Sequence, residues 1–244
     1  MNRTALCFFG LITCSLALAS CRDGVSREVQ AVVLSLDGSA SVTHARNGRT
    51  DPIQSHSRLS VGDLVKVSGQ SQVRLQIVPG IMSAVKANSE LQIEELRVAK
   101  DGNAMVNAML VRKARLRLGH GLLDVVVEKK DATGATLIVD TSFGVVNAAG
   151  ECVCRITVTD RRARILCLRG TVQVQAPNGP VSSLEAGFYG DWPAAAEVAK
   201  PADANGEVQS DVVATLESMR ELLVLQAREV FTPAPWRRTV TEKP

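Results

Sequence analysis

The sequence predicts an all-β fold, an antiparallel β-sandwich or barrel-like domain followed by one C-terminal amphipathic helix. Short runs of β-branched and other apolar residues recur through residues 29–190, separated by turn residues such as Asp37-Gly38 and Pro79-Gly80. Apolar and polar residues alternate within these runs, for example over 73–77, as expected for half-buried strands. A helical period appears only near the C-terminus. These observations together favour an all-β domain over a mixed α/β one.

Composition sets the first limits. The chain has 244 residues, of which 45% are hydrophobic, and this is enough for a substantial core. The formal net charge is only +3, so the sequence lacks the concentrated cationic footprint that nucleic-acid binding needs. Aromatic residues make up 3% of the chain, which leaves little material for stacking sites.

Residues 1–20 are predicted to be a signal peptide. Arg3 supplies positive charge, an apolar stretch follows, and the segment ends in Leu18-Ala19-Ser20-Cys21. This ending resembles a bacterial lipobox, which implies cleavage before Cys21, acylation of that residue and anchoring in a membrane through the acyl chains. The alternative is ordinary cleavage near Ala19 with an unmodified Cys21. Under the lipobox interpretation residues 21–28 form a tether, and the protein faces the periplasm. Because Arg22 rather than Asp follows the cysteine, the outer membrane is favoured over the inner one.

The predicted strands follow one another along the body of the chain. Val29–Leu36 is apolar, and the Asp37-Gly38 after it predicts a hairpin. The alternating Val73–Ile77 predicts a strand that Pro79-Gly80 turns. Further strands are predicted around 91–93, 105–111, 116–118, 122–127, 137–139, 145–146, 152–158, 165–168 and 172–174. No strand–helix–strand pattern appears, which excludes dinucleotide-binding folds and hydrolases built on a parallel sheet.

The composition changes after residue 190. Residues 191–206 are rich in Ala, Pro, Asp and Asn and are predicted to be a linker. Residues 207–231 are predicted to form an amphipathic helix that Asn205 or Ser210 caps, and 232–244 a flexible tail. The apolar stripe of the helix comprises Val208, Val212, Leu216, Met219, Leu222, Leu223 and Val230. This stripe either packs on the sandwich and covers a sheet edge, or docks onto an envelope protein partner.

The β region resembles the FecR-like domain of bacterial signalling and envelope proteins. The resemblance rests on an ordered set of glycine-containing turns and alternating strands. Its pieces are Leu59–Ile77, Asn88–Leu91, Leu116–Val127 centred on Gly121, Thr141–Gly150, Leu168–Val174 and Leu184–Gly187. It covers residues 29–190 and implies an all-β domain in which the Gly121 stretch forms a hairpin. Ser142, Glu151 and Arg169 depart from the family pattern.

The resemblance implies a role in envelope binding, sensing or signalling. Regulators of that family have a cytoplasmic region and one spanning helix, whereas an anchor at Cys21 would hold this chain outside the cytoplasm. We therefore expect a non-enzymatic, lipid-anchored binding, sensing or scaffold module in the periplasm. The alternatives are a regulator that contacts a transmembrane signalling partner and a structural component of an envelope assembly.

Three cysteines remain after the signal peptide and the lipid anchor are set aside. Cys152 and Cys154 lie two apart and share one face of a strand, and Cys167 lies on the next strand. If the turn between them centres near Asp160-Arg161, Cys154 opposes Cys167, and the two are candidates for a disulfide. Cys152 is the alternative disulfide partner. Buried free thiols and a three-thiolate copper(I) site remain open as other interpretations.

No catalytic or phosphate-binding motif is present. The sequence contains no nucleophile elbow, zinc-protease helix or phosphate loop, so we expect neither an enzyme nor a bound cofactor. The candidate contact edge is Phe188, Tyr189 and Trp192, because most of the aromatic rings of the chain fall after residue 142 and these three lie closest together.

Overall fold

The structure is a computed structural model that describes residues 25–100, 109–129, 134–177, 179–193 and 200–230. The predicted signal peptide, Cys21 and the predicted tail lie outside the described residues. Within them the chain forms eighteen strands and one long helix. The prediction of an all-β fold with a single C-terminal helix is confirmed.

The strands are β1 (Val25–Glu28), β2 (Ala31–Asp37), β3 (Ala40–Thr43), β4 (Thr50–Pro52), β5 (Arg58–Leu59), β6 (Leu64–Val67), β7 (Gln72–Val78), β8 (Ile81–Val85), β9 (Ser89–Lys100), β10 (Met109–Val127), β11 (Ala135–Thr141), β12 (Gly144–Ala149), β13 (Cys152–Val158), β14 (Ala163–Arg169), β15 (Thr171–Gln175), β16 (Val181–Glu185), β17 (Phe188–Trp192) and β18 (Lys200–Pro201). The helix α1 spans Gly206–Val230.

The strands form two open sheets. Sheet A has the order β4-β3-β6-β9-β10-β11-β12-β15-β16, with β1 beside the far end of β9. Sheet B has the order β5-β2-β7-β8-β10-β13-β14-β17-β18. Among the described residues the end strands of neither sheet pair with each other, so the fold is a sandwich and not a closed barrel. Within the strands that the structure describes, β10 and β11 run parallel and the other pairings are antiparallel.

Strand β10 belongs to both sheets. Its first half pairs with β9, and from Gly121 onward it pairs with β8 and β13. Gly121 has φ +103°, and a Cβ there would lie 2.1 Å from Ser89 Oγ, so only glycine fits this bend. Ser89 Oγ accepts a hydrogen bond from the backbone N–H of Leu122 at 2.8 Å. The hairpin predicted around Gly121 is therefore wrong, because the chain continues as one strand that bends from sheet A into sheet B.

A second predicted hairpin, at Asp37-Gly38, is also wrong. Gly38 has the positive φ of a turn, but β2 belongs to sheet B and β3 to sheet A. The turn therefore carries the chain across the sandwich instead of folding β3 back onto β2. The Pro79-Gly80 turn ends β7 as predicted. It joins β7 to the antiparallel β8, which was not among the predicted strands.

The core fills the space between the two sheets. It is aliphatic through the first half of the domain, with Leu75, Ile77 and Leu116 fully buried. The largest ring in the core is Trp192, which is 2% exposed and lies over Gly190, where a Cβ would come within 2.6 Å of the indole. Buried Val, Leu and Ile side chains supply most of the core volume in place of aromatic rings.

Helix α1 lies on the outer face of sheet B and covers that face instead of a sheet edge. Asn205 caps its start, since the side-chain oxygen accepts a hydrogen bond from the N–H of Glu207 at 3.0 Å. The segment predicted as a linker contains the end of β17, strand β18 and a turn at Ala202–Ala204. In the described part of the chain, no helix combines the length and apolar character needed to cross a membrane.

Candidate functional site

Three arginines from the outer face of sheet B lie beneath α1. Arg74 comes from β7, Arg155 from β13 and Arg164 from β14, and each is less than a tenth exposed. Each guanidinium lies between a carboxylate of the β domain and a carboxylate of the helix. We call these three residues the arginine row. Alternation with Val73 and Leu75 predicts that Arg74 lies on the solvent side of its strand. All three arginines are buried because α1 covers that side of sheet B.

Arg155 is the most deeply buried of the row. Its Nε and Nη2 donate to the two oxygens of Asp124 at 2.7 Å and 3.1 Å, and its Nη1 donates to Asp211 Oδ1 of the helix at 2.9 Å. Burial acts to lower the pKa of Arg155, but the hydrogen bonds and charges of Asp124 and Asp211 outweigh it and raise that pKa. The guanidinium therefore stays charged and links the sheet to the helix through charge-assisted hydrogen bonds.

Arg164 and Arg74 repeat this arrangement, each with its own pair of carboxylates. Arg164 donates to Asp191 Oδ1 at 2.8 Å and pairs with Glu207 Oε1 of the helix at 3.0 Å. Its guanidinium also lies 5.6 Å from the centre of the Tyr189 ring, a cation–π distance. Three ion-paired arginines at successive positions along the helix fix both its position and its rotation on the sheet.

Arg74 completes the row near the C-terminal half of α1. It donates to Asp37 Oδ2 at 2.6 Å and, through Nε, to Glu221 Oε2 of the helix at 3.2 Å. Its pKa is raised, since its hydrogen bonds to Glu221 and Asp37 outweigh the lowering effect of burial. Lys86 lies nearby with its Nζ 3.6 Å from Asp124 Oδ2, and burial lowers the pKa of that lysine.

The rest of the helix–sheet contact is small and partly polar. Leu222 packs into a cluster with Met82, Ala84, Val126 and Val153. Val208 packs with Leu166, Tyr189 and Ala202. Thr215, Ser218 and Gln226 are also buried in this contact, and Gln226 Nε2 donates to Glu128 Oε2 at 2.8 Å. The buried side of α1 therefore carries polar groups as well as apolar ones.

The predicted apolar stripe of α1 does not coincide with its buried side. Val208 and Leu222 are fully buried and Val212 and Met219 half-buried, but Leu216 and Leu223 face outward and are 41% and 37% exposed. Val213 and Val224 are 65% and 53% exposed. Ion pairing with the arginine row turns the helix so that Asp211 and Glu221 meet the sheet. Part of the apolar stripe is left in solvent as a result.

We define the outer face of α1 as six of the exposed residues on its solvent side: Val213, Leu216, Glu217, Arg220, Leu223 and Val224. Residues three and four apart are neighbours on a helix surface, so these side chains form one continuous surface. Four of its six residues are apolar.

An open cleft of about 700 Å³ adjoins this surface. It lies between α1 and strands β17 and β18, and its lining is mainly apolar, with Leu168, Phe188, Pro201, Val212, Val213 and Leu216 among the lining residues. Asp203 and Gln209 supply its polar groups. Of the candidate contact edge, Phe188 is half-buried and reaches this cleft.

The other two residues of that edge are buried on opposite sides of β17. Tyr189 lies under the helix, where its hydroxyl accepts a hydrogen bond from Asn205 Nδ2 at 3.4 Å. Trp192 lies in the core between the sheets. The three rings therefore do not form one surface, because successive strand residues point to opposite faces.

The three cysteines meet in the core as free thiols. Cys154 is directly opposite Cys167, the register predicted from a turn near Asp160-Arg161, and Cys152 lies on the same inner face. All three are fully buried and unpaired. The pKa of Cys152 is raised by its hydrogen bond with Cys154 and by burial, and that of Cys167 by its hydrogen bond with Cys152 and by burial. Protonated, inaccessible thiols are poor nucleophiles.

The described residues bring together no group of three or more His, Cys, Asp or Glu side chains able to hold a metal ion. The features that stand out are the arginine row, the outer face of α1 and the cleft beside it. Sequence reasoning singled out α1 and Phe188 but missed the arginine row. The available signal was the spacing of Glu207, Asp211 and Glu221 along the helix.

Comparison with known proteins finds distant structural similarity between this chain and solved structures. No family model matches the chain, and no curated protein matches it. Two crystal structures of a candidate anti-sigma factor from Parabacteroides distasonis, at 2.50 Å and 1.65 Å resolution, are similar to it with a TM-score of 0.40 each. Sequence identity is 14% and 13%, and in both cases the similarity covers 57% of this chain and 59% of that protein. The chain thus spans less than two thirds of the structures it resembles.

Proposed function

We propose that this protein is a non-enzymatic, lipid-anchored envelope protein whose FecR-like domain acts in the periplasm as a binding, sensing or scaffold module. The observation that carries the proposal is the outer face of α1. Four apolar side chains point into solvent from a helix that the arginine row holds against the domain. Apolar residues grouped on one exposed surface are typical of protein contact sites.

The ion-paired helix makes this surface a rigid one. Arg155 and Arg164 each join α1 to sheet B, and Leu222 adds an apolar anchor at the other end of the helix. A partner would therefore meet a preformed surface and would not need to order it, which lowers the cost of binding. The cleft beside Leu216 adds concave apolar area to the same surface.

The envelope location rests on the N-terminal sequence. Acylation of Cys21 would hold the domain at a membrane face, and residues 21–28 would give it reach from that face. Attachment to a membrane also concentrates the chain in two dimensions, so contacts of modest affinity become effective.

The test uses the full chain produced in the envelope of a bacterium with two membranes. Cys21→Ala is expected to abolish acyl labelling and to move the protein out of the membrane fraction. Leu216→Lys is expected to leave the protein in the membrane. After mild solubilisation, native gels are expected to lack the complex that the unmodified protein forms with its partner. Val181→Lys is the matched control, because Val181 is 57% exposed on β16 of sheet A. A Cys21→Ala protein that still sediments with membranes, or equal behaviour of the two lysine variants, would overturn the proposal.

A further inference from the structure

We infer that the partner that fits the outer face of α1 is a second copy of this chain, with the two helices packed antiparallel about a two-fold axis near residues 218–219. This inference rests on the proposed function and names the partner of the same surface. The order of apolar and charged residues along the exposed side of the helix supports it.

That order reads nearly the same in both directions. Val213 and Val224 lie at the two ends of the exposed surface, and Glu217 and Arg220 lie between them. Rotating a second helix about an axis near 218–219 brings its Val224 level with Val213, and its Arg220 level with Glu217. A surface that is complementary to its own rotated copy is the requirement for a two-fold interface.

The charges select the antiparallel arrangement. Glu217 and Arg220 are both exposed, and neither forms an ion pair with any residue in the described part of the chain. Antiparallel pairing gives two reciprocal contacts between Glu217 of one copy and Arg220 of the other. Parallel pairing would place Glu217 against Glu217 and Arg220 against Arg220. Like charges at such positions oppose association, so the pattern specifies direction as well as partner.

The apolar residues fit the same arrangement. The apolar Val213, Leu216 and Leu223, together with the charged Arg220, are spaced three, four and three residues apart, which is the spacing of a helix–helix seam. Leu216 and Leu223 lie on the same flank of the outer face, and the two-fold axis brings like flanks together. With the axis near residues 218–219, Leu223 of one copy lies two residues, or about 3 Å along the helix axis, from the level of Leu216 of the other. The two side chains are therefore close enough to pack together.

The position of α1 on the domain permits this pairing. The helix lies on the outside of sheet B, so the two β domains would lie on opposite sides of the helix pair. The cleft beside Leu216 and Val213 would border the seam in both copies. Dimerisation would bury two apolar surfaces, one from each copy, that are exposed in the single chain.

Charge reversal on the full chain, solubilised from membranes in mild detergent, tests the inference by sedimentation velocity. The wild type is expected to dimerise. Glu217→Arg and Arg220→Glu each create two like-charge contacts per dimer and are expected to raise the dimer dissociation constant at least about tenfold. The double variant Glu217→Arg with Arg220→Glu restores opposite charges across the axis and is expected to return within about threefold of the wild type. A wild type that stays monomeric, or a double variant no better than the single ones, would overturn the inference.

Cross-linking tests the direction of the pair. Chains carrying Val213→Cys and chains carrying Val224→Cys are co-expressed and treated with a short bifunctional maleimide. In the antiparallel dimer the two copies of residue 213 are offset by about 16 Å along the helix axis. The mixture is therefore expected to cross-link, and either variant alone is not. Cross-linking of the single variants but not of the mixture would establish a parallel pair and refute the inference.

The two proposals can fail separately. If the wild type is monomeric but Leu216→Lys still removes an envelope assembly, the second copy is the wrong partner and the proposed function stands. If Leu216→Lys also has no effect on any assembly, both are wrong.

Discussion

Replacing Arg155 by Met tests how firmly the arginine row holds α1 to the β domain. The substitution keeps an unbranched, apolar side chain of similar reach but removes the guanidinium. It leaves the Asp124 carboxylate, which is 1% exposed, with Lys86 as its nearest cation at 3.6 Å. It also removes the hydrogen bond at 2.9 Å to Asp211 of the helix.

The expected loss follows from burial. Breaking a buried ion pair by removing one partner costs about 3–5 kcal/mol, because the remaining charge is left without compensation in a poorly solvated site. Asp211 is 25% exposed, so water compensates its loss in part. Asp211→Asn is therefore expected to cost only about 1 kcal/mol.

Urea unfolding followed by circular dichroism measures both losses on the same footing. We expect the midpoint to fall far more for Arg155→Met than for Asp211→Asn. A loss below about 1 kcal/mol for Arg155→Met would refute the reasoning, because it would mean that Asp124 is not held as a buried carboxylate. Equal losses for the two variants would contradict the difference in burial on which the argument depends.

Three further variants test the bend, the orientation of the helix and the thiol cluster. Gly121→Ala should lower the free energy of unfolding in urea by more than about 2 kcal/mol. Gly150 also has a positive φ, but a Cβ there would meet nothing within 4 Å, so Gly150→Ala should lower it by only about 1 kcal/mol. Similar losses for the two variants would contradict the close approach at the bend. Leu222→Ala should lower stability by about 2–4 kcal/mol and Leu216→Ala by less than about 0.5 kcal/mol, and the reverse order would mean that the helix is turned differently. The pKa of Cys152 is raised above its ordinary value of 9.0, so the folded state retains a proton that the unfolded state releases, and stability falls as the pH rises above 9. Cys152→Ala should remove up to about 1.4 kcal/mol per pH unit from that decline, and an unchanged slope in unfolding experiments between pH 9 and 10.5 would count against the raised pKa.

Local patterns in the sequence predict much of this fold. Alternation over Val73–Ile77 places Leu75 in the core, and Pro79-Gly80 marks the turn that ends this strand. The cysteine register was left open by the sequence, because it depends on the centre of one short turn. The structure centres that turn on Asp160-Arg161, and Cys154 therefore lies opposite Cys167. In each case the information lies within a few residues of the feature it determines.

Features that depend on distant parts of the chain were not predictable in the same way. A glycine with positive φ marks a change of direction at Gly38 and Gly121, but it does not say whether the next strand pairs back or crosses to the other sheet. Alternation correctly assigned Arg74 to the outer side of its strand. Only the helix at the other end of the chain, through Glu221, makes that side buried. The apolar stripe of α1 likewise suggested a packing face that the ion pairs turn partly into solvent.

We propose that this protein meets its partner through the outer face of α1. Site-specific photo-crosslinking in intact cells tests it directly, with a photoreactive amino acid in place of Leu216 in one strain and in place of Val181 in another. We predict a discrete cross-linked product from position 216 and none from position 181. No product from position 216, or the same products from both positions, would contradict the claim.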